Sequence, residues 1–168
     1  MEEQHALIET SEGDILVELL PEAAPESVAN FLGYVDEGHY AQTLFHRIVR
    51  GFVIQGGGFD RDLNRKPTHP PVVNEARNGL SNTKGSLALA RALDKDSARD
   101  EFFINAADNP ELDHADESDE GFGYAVFGRV VDGLEVVKKI NWKVIRPRPE
   151  FPDLPKDEVL IRSVQRFA

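Results

Sequence analysis

A mainly β fold, built as a closed antiparallel barrel with two helices, is what this sequence predicts. Three observations carry that expectation. Short runs rich in β-branched and aromatic residues recur along the whole chain, Gly and Pro punctuate them, and only two stretches have helical spacing. Closure follows from the number of strands, because an open sheet leaves edges whose unpaired N–H and C=O groups invite aggregation.

The first element is a hairpin. Ala6-Leu7-Ile8 and the alternating run Ile15, Val17, Leu19 flank Ser11-Glu12-Gly13-Asp14, which supplies the turn. Pro25 suits a first helical turn, Val28, Phe31, Leu32 and Val35 recur at helical intervals, and Gly38 supplies a stop, so a core-covering helix is expected there. Two strand-like runs follow, Thr43 to Val49 and Phe52 to Gln55, separated by Arg50-Gly51 and ending in Gly56-Gly57-Gly58, read as a tight turn or bulge. From Phe59 to Lys84 the pattern breaks into a functional or wrapping loop. Strands resume at Ser86 to Arg91, Glu101 to Ala106 and Tyr124 to Val131. Asp132 reads as the N-cap of a second helix, with Glu135 completing a capping box before Val136, Val137 and Ile140. A Pro-rich connection, Pro147 to Pro155, leads to a last strand at Val159 to Phe167.

Composition narrows the function classes. The 168 residues suit a single domain spanning the chain, and 40% apolar with 29% charged residues is a globular balance. A net charge of -11, with no basic stripe noted against it, argues against nucleic acid or a membrane surface as partner. The absence of cysteine excludes disulfides and thiolate chemistry. The start, Met1-Glu2-Glu3-Gln4, has no basic or apolar leader, so a cytoplasmic protein is expected, or a periplasmic one if a signal peptide has been removed. Monomer is the default state.

The search for ordinary catalytic groups fails. The histidines, His5, His39, His46, His69 and His114, lack the spacing of a zinc motif, and the acidic stretch from Asp113 to Glu120 does not match a calcium loop and reads as solvated surface. No serine lies in a nucleophile elbow, and the glycine run lacks the rest of a phosphate or dinucleotide fingerprint, so neither metal nor cofactor is expected. What remains is the dense block from Phe45 to Gly57, in which Arg47 and Gln55 interrupt apolar strands. Strand parity puts Arg47 opposite His46 and Ile48, and Val53 with Gln55. Each apolar residue here also reads as plain barrel core, but an arginine within such a strand must be hydrated or paired.

This block resembles the signature of the cyclophilins, and Gly85 to Arg91, Glu101 to Asn105 and Gly123 to Gly128 resemble the family's later blocks in the same order. Asn74-Glu75-Ala76, Ala88-Leu89-Ala90-Arg91 and Asn105 to Asn109 are similar to its small bacterial branch. The resemblance, spanning Leu7 to Val164, implies an eight-stranded antiparallel barrel closed at its ends by two helices. It implies a cofactor-independent peptidyl-prolyl cis-trans isomerase that assists protein folding and takes proline-containing peptides and unfolded chains as partners. It implies that Arg47 is the catalytic arginine with Gln55 beside it, and that Phe52, Val53, Phe103, Leu112 and Tyr124 line a proline pocket. By the same resemblance the backbone of Ala90 and Arg91 pairs with the bound peptide, and His46 is a lesser groove residue.

Two positions depart from the family. Glu111 stands where many eukaryotic members carry a tryptophan, so only weak cyclosporin binding is expected. Glu101 stands where a glutamine is usual. By parity it shares a face with Phe103, and the resemblance implies that it lies within reach of Arg47, where its charge would cancel part of the arginine's field, so Glu101→Gln is expected to raise kcat/KM by about two- to fivefold. Two rivals remain at this level: a peptide-gripping module without chemistry, and a barrel carrier of an apolar small molecule.

Overall fold

The structure is a computed structural model that describes residues 4–167. β1 (Gln4–Thr10) and β2 (Gly13–Leu19) form the opening hairpin, with Ala6, Ile8, Ile15, Val17 and Leu19 turned inward. The Thr10 hydroxyl fixes the turn by donating to the Gly13 carbonyl at 2.6 Å. α1 (Pro25–Asp36) buries Val28, Phe31, Leu32 and Val35, the four residues chosen by spacing, and adds Ser27 and Tyr34. Its free N-terminal amides are satisfied from a distance. Glu75 accepts from the backbone of Ser27 at 2.7 Å and of Glu26 at 3.2 Å, a cap supplied by the long loop.

The expected strand from Thr43 to Val49 is broken. β3 (Thr43–Leu44) pairs with the last strand and β4 (Arg47–Val49) pairs with β5 (Val53–Gly56), while Phe45 and His46 bend the chain between the two ladders. Gly56 is required at this bend, since a Cβ there would collide with the Leu44 carbonyl and the Phe45 backbone. β6 (Ser86–Leu89), β7 (Phe102–Asn105), β8 (Val126–Asp132) and β9 (Leu160–Phe167) complete one antiparallel sheet in the order β3-β9-β1-β2-β8-β6-β7-β5-β4. The sheet thus has nine strands and an open hydrogen-bonded order, against the closed eight expected. Its two edge strands are consecutive in the chain, so covalent continuity through Phe45-His46 replaces a closing ladder and the barrel shape is kept.

α2 (Leu134–Asn141) does not start at Asp132, which is the last residue of β8. Gly133 is the N-cap, at φ 98°, a left-handed conformation that an aspartate adopts only with strain; no side chain caps the helix. The stretch from 59 to 84 wraps the barrel without a strand of its own, held by isolated bridges such as Phe59↔Arg65 and Val72↔Ala98. No helix among the described residues is long and apolar enough to cross a membrane.

Register explains why the sheet presents two different faces. Ile48, Ile54, Ile104 and Leu87 are successive partners across four strands, and all lie in the main core. Their neighbours one residue earlier or later form the opposite row, Arg47↔Gln55↔Phe103↔Ala88↔Val126. That row builds a second, smaller apolar cluster from Val53, Ala88, Phe103 and Val126 on the outside of the barrel.

Candidate active site

Over this outer cluster lies an open cavity of about 330 Å3. Its apolar wall is Phe52, Val53, Phe103, Leu112 and Tyr124; its polar side is Arg47, Gln55, Ala90 and Arg91. Phe103 and Tyr124 meet edge to face at 5.6 Å between centroids, and the Arg91 guanidinium lies 4.6 Å over the Tyr124 ring. Nine of the eleven site residues taken from the sequence converge here. His46 and Glu101 do not line this cavity.

Arg47 is held on two sides. Its Nη1 donates to Gln55 Oε1 at 3.2 Å, and its Nε lies 3.4 Å from Asp153 Oδ2. Gln55 in turn donates through Nε2 to Glu101 Oε1 at 3.0 Å. Glu101 makes no direct pair with Arg47, against what the resemblance implied. Its carboxylate sits 2.8 Å from Arg65 Nη1 and 3.3 Å from His46 Nε2, because Glu101 precedes β7 and its side chain turns toward the long loop. Burial works to raise the Glu101 carboxyl, but His46, Arg65 and Gln55 outweigh it and hold the group at about 2. His46 is almost fully buried and packs against Phe59 and Phe151, and it lines a smaller neighbouring cavity that also includes Arg47, Glu101 and Asp153.

Three asparagines hold the floor. Asn109 donates to the Phe52 carbonyl at 2.9 Å and to Asn105 Oδ1 at 2.8 Å; Asn105 donates to Asn82 Oδ1 at 3.0 Å; Asn82 donates to the Leu112 carbonyl at 3.2 Å. All three are buried, so the network fixes the backbone of two wall residues in a place where an unpaired amide would be costly. Sequence reasoning assigned no role to Asn82, Asn105, Asn109, Arg65 or Asp153.

The sequence model described as cyclophilin type peptidyl-prolyl cis-trans isomerase/CLD matches residues 5–166. This chain belongs to the cyclophilin family. Similar members include peptidyl-prolyl cis-trans isomerase B of Escherichia coli, 48% identical over 92% of this chain and 94% of that protein. Peptidyl-prolyl cis-trans isomerase A of Dickeya dadantii is 47% identical over 96% of this chain and 83% of that protein. A solved cyclophilin of Cryptosporidium parvum matches with a TM-score of 0.81 at 25% identity over 99% of both chains. The same cyclophilin solved in the presence of the dipeptide Ala-Pro gives 0.81 at 26% identity over 98% of this chain and 99% of that one. The cyclophilin sheet, with its two helices, is therefore the frame on which the Arg47 row is mounted.

Beside the cavity lies a second one of about 400 Å3, with which it shares Gln55, Ala90 and Arg91 and which Arg65, Arg99 and Glu101 also line. The two form a continuous trough along the end of β6.

Proposed function

We propose that this cyclophilin accelerates cis/trans rotation about X-Pro bonds in peptide segments laid along the trough, assisting the folding of proline-containing chains. The observation that carries the reading is a guanidinium fixed at the edge of an apolar cavity sized for a proline ring. Rotation breaks no bond between heavy atoms; its barrier of about 20 kcal/mol is the lost amide resonance, which leaves uncatalysed times of tens of seconds. In the twisted amide the prolyl nitrogen regains a lone pair, so a donor aimed at it binds the transition state better than the planar ground state. Arg47 is that donor. Gln55 and Asp153 engage Nη1 and Nε of its guanidinium.

Magnitudes assign shares. An acceleration of about 10⁵ requires about 7 kcal/mol. One charge-assisted hydrogen bond contributes about 1.5–3 kcal/mol net, so holding the ring against Phe103 and Leu112 while the acyl side turns must supply much of the rest. Exchange NMR or a protease-coupled assay on a short X-Pro peptide tests this directly. Catalysed exchange supports it; binding without acceleration would leave a gripping module, and binding of apolar small molecules with no peptide effect would leave a carrier.

A further inference from the structure

The acidic average of the chain hides one basic stretch, in which Lys143 is paired with Glu12 at 2.7 Å and the other cations have no carboxylate partner among the described residues. Between Glu135 and Glu150 the sequence carries Lys138, Lys139, Lys143, Arg146 and Arg148 and no acidic residue. This stretch also holds the exposed apolar side chains Trp142, Val144 and Ile145, with Trp142 57% exposed. A third cavity, of about 190 Å3, opens beside α2. Its apolar part is Leu134, Val137 and Trp142, and its charged rim is Lys84 and Lys138, with no carboxylate on its walls. Arg50 lies 4.7 Å over the Trp142 ring. Among the described residues, Arg50, Lys84 and Lys138 are paired with no carboxylate, although the rest of the chain is rich in them.

We infer that this face is a docking site for an acidic polypeptide segment that carries an apolar side chain, with the apolar group in the cavity between Leu134 and Trp142 and its flanking carboxylates on Lys84, Lys138 and Arg50. Charge complementarity selects that occupant. A lone apolar partner would leave three cations unused, whereas a nucleic acid brings dense phosphate charge and no aliphatic side chain for the wall formed by Leu134, Val137 and Trp142. The site adjoins the catalytic one through the backbone. Gly51 lines this cavity and Phe52, the next residue, lines the proline cavity, while Ala106, another wall residue here, donates its amide to the Phe52 carbonyl at 2.8 Å. A client chain held at the basic face therefore presents nearby X-Pro bonds at high effective concentration. This consequence rests on the proposed isomerase activity; the docking itself does not.

Trp142 is the chain's single tryptophan, so its emission reports this cavity alone. The full chain is titrated with a proline-free peptide of glutamates around one leucine. The expected result is a saturable blue shift that weakens as salt is raised, and about tenfold weaker binding in Lys84→Glu and in Lys138→Glu. No shift, an equal shift with lysines replacing the glutamates, or a response given instead by an oligonucleotide, by anionic vesicles or by self-association of the protein overturns the inference. Turnover of a short X-Pro peptide is measured on the same samples. Unchanged turnover in both variants is expected, whereas intact docking without any turnover in the parent protein would overturn the isomerase reading and leave the docking site standing.

Discussion

The Asp153 carboxylate stands 3.4 Å from Nε of Arg47 while Gln55 accepts from Nη1, so the guanidinium is held by protein at two of its three nitrogens. Asp153 comes from the Pro-rich connection, whose backbone also accepts from the Ile48 amide at 3.0 Å. The pair is about one-third exposed, so solvent screening reduces both its anchoring energy and its cancellation of the arginine's field. Anchoring of the guanidinium plane is the larger remaining effect. Asp153→Ala is expected to lower kcat/KM by about two- to fivefold, or about 0.4–1 kcal/mol, with Asp153→Asn close to the parent because its amide oxygen keeps the same place beside Nε. Equal losses in both variants, measured by steady-state kinetics, would show that charge rather than anchoring matters.

Glu101 calls for a revised expectation. Because its charge is spent on Arg65 and His46 and reaches Arg47 only through Gln55, Glu101→Gln should change kcat/KM by less than about twofold. Stability should respond instead. A carboxyl held at about 2 against an ordinary value of 4.5 contributes stability that is complete above 4.5 and is lost as the pH falls through about 2. The contribution is about 3 kcal/mol at neutral pH. Urea unfolding at neutral pH and on the acid side checks it: the variant should be weaker at neutral pH and lose less on acidification.

Asn105→Ala removes the centre of the floor network and leaves Asn82 and Asn109 with unmatched buried groups. A loss of about 2–4 kcal/mol in unfolding free energy is expected, with KM raised more than kcat is lowered because the Phe52 and Leu112 walls loosen. A kcat effect with KM unchanged would contradict the supporting role assigned to the network.

Glu111 lies exposed on the 3-10 turn Pro110–Leu112, one residue from the cavity wall. Glu111→Trp would add an indole face and N–H at the rim. Cyclosporin affinity, by calorimetry, is expected to rise at least about tenfold while peptide turnover changes little; no gain would show that the rim geometry, and not the missing tryptophan, limits binding.

What was legible in the sequence was whatever local pattern decides. Helical spacing found the inward face of α1, alternation found the opening hairpin, and strand parity separated Arg47 from Ile48 and grouped Val53 with Gln55; which of these faces is outward, and that Arg47 stands opposite Gln55, came from the register. The block around Arg47 identified the family, and with it nine wall residues of the cavity. What escaped was long-range. The break at Phe45-His46 depends on which partner strand each half meets, and the Glu75 cap on α1 joins residues 48 apart. Glu101 was misplaced because parity holds only within a strand, and β7 begins one residue later. Asp132 was misread because a capping box says nothing of the positive φ that Gly133 supplies.

The central claim is that Arg47 stabilises the twisted amide more than it stabilises the fold. Its side chain is 39% exposed and lies outside the core, so Arg47→Ala should leave the circular dichroism spectrum and melting temperature unchanged. The most direct measurement is kcat/KM of that variant on a short X-Pro peptide at neutral pH. The account predicts a fall of at least about tenfold, equivalent to about 1.4 kcal/mol of lost transition-state stabilisation, carried mainly by kcat. Activity equal to that of the parent protein, with the fold intact, would contradict it.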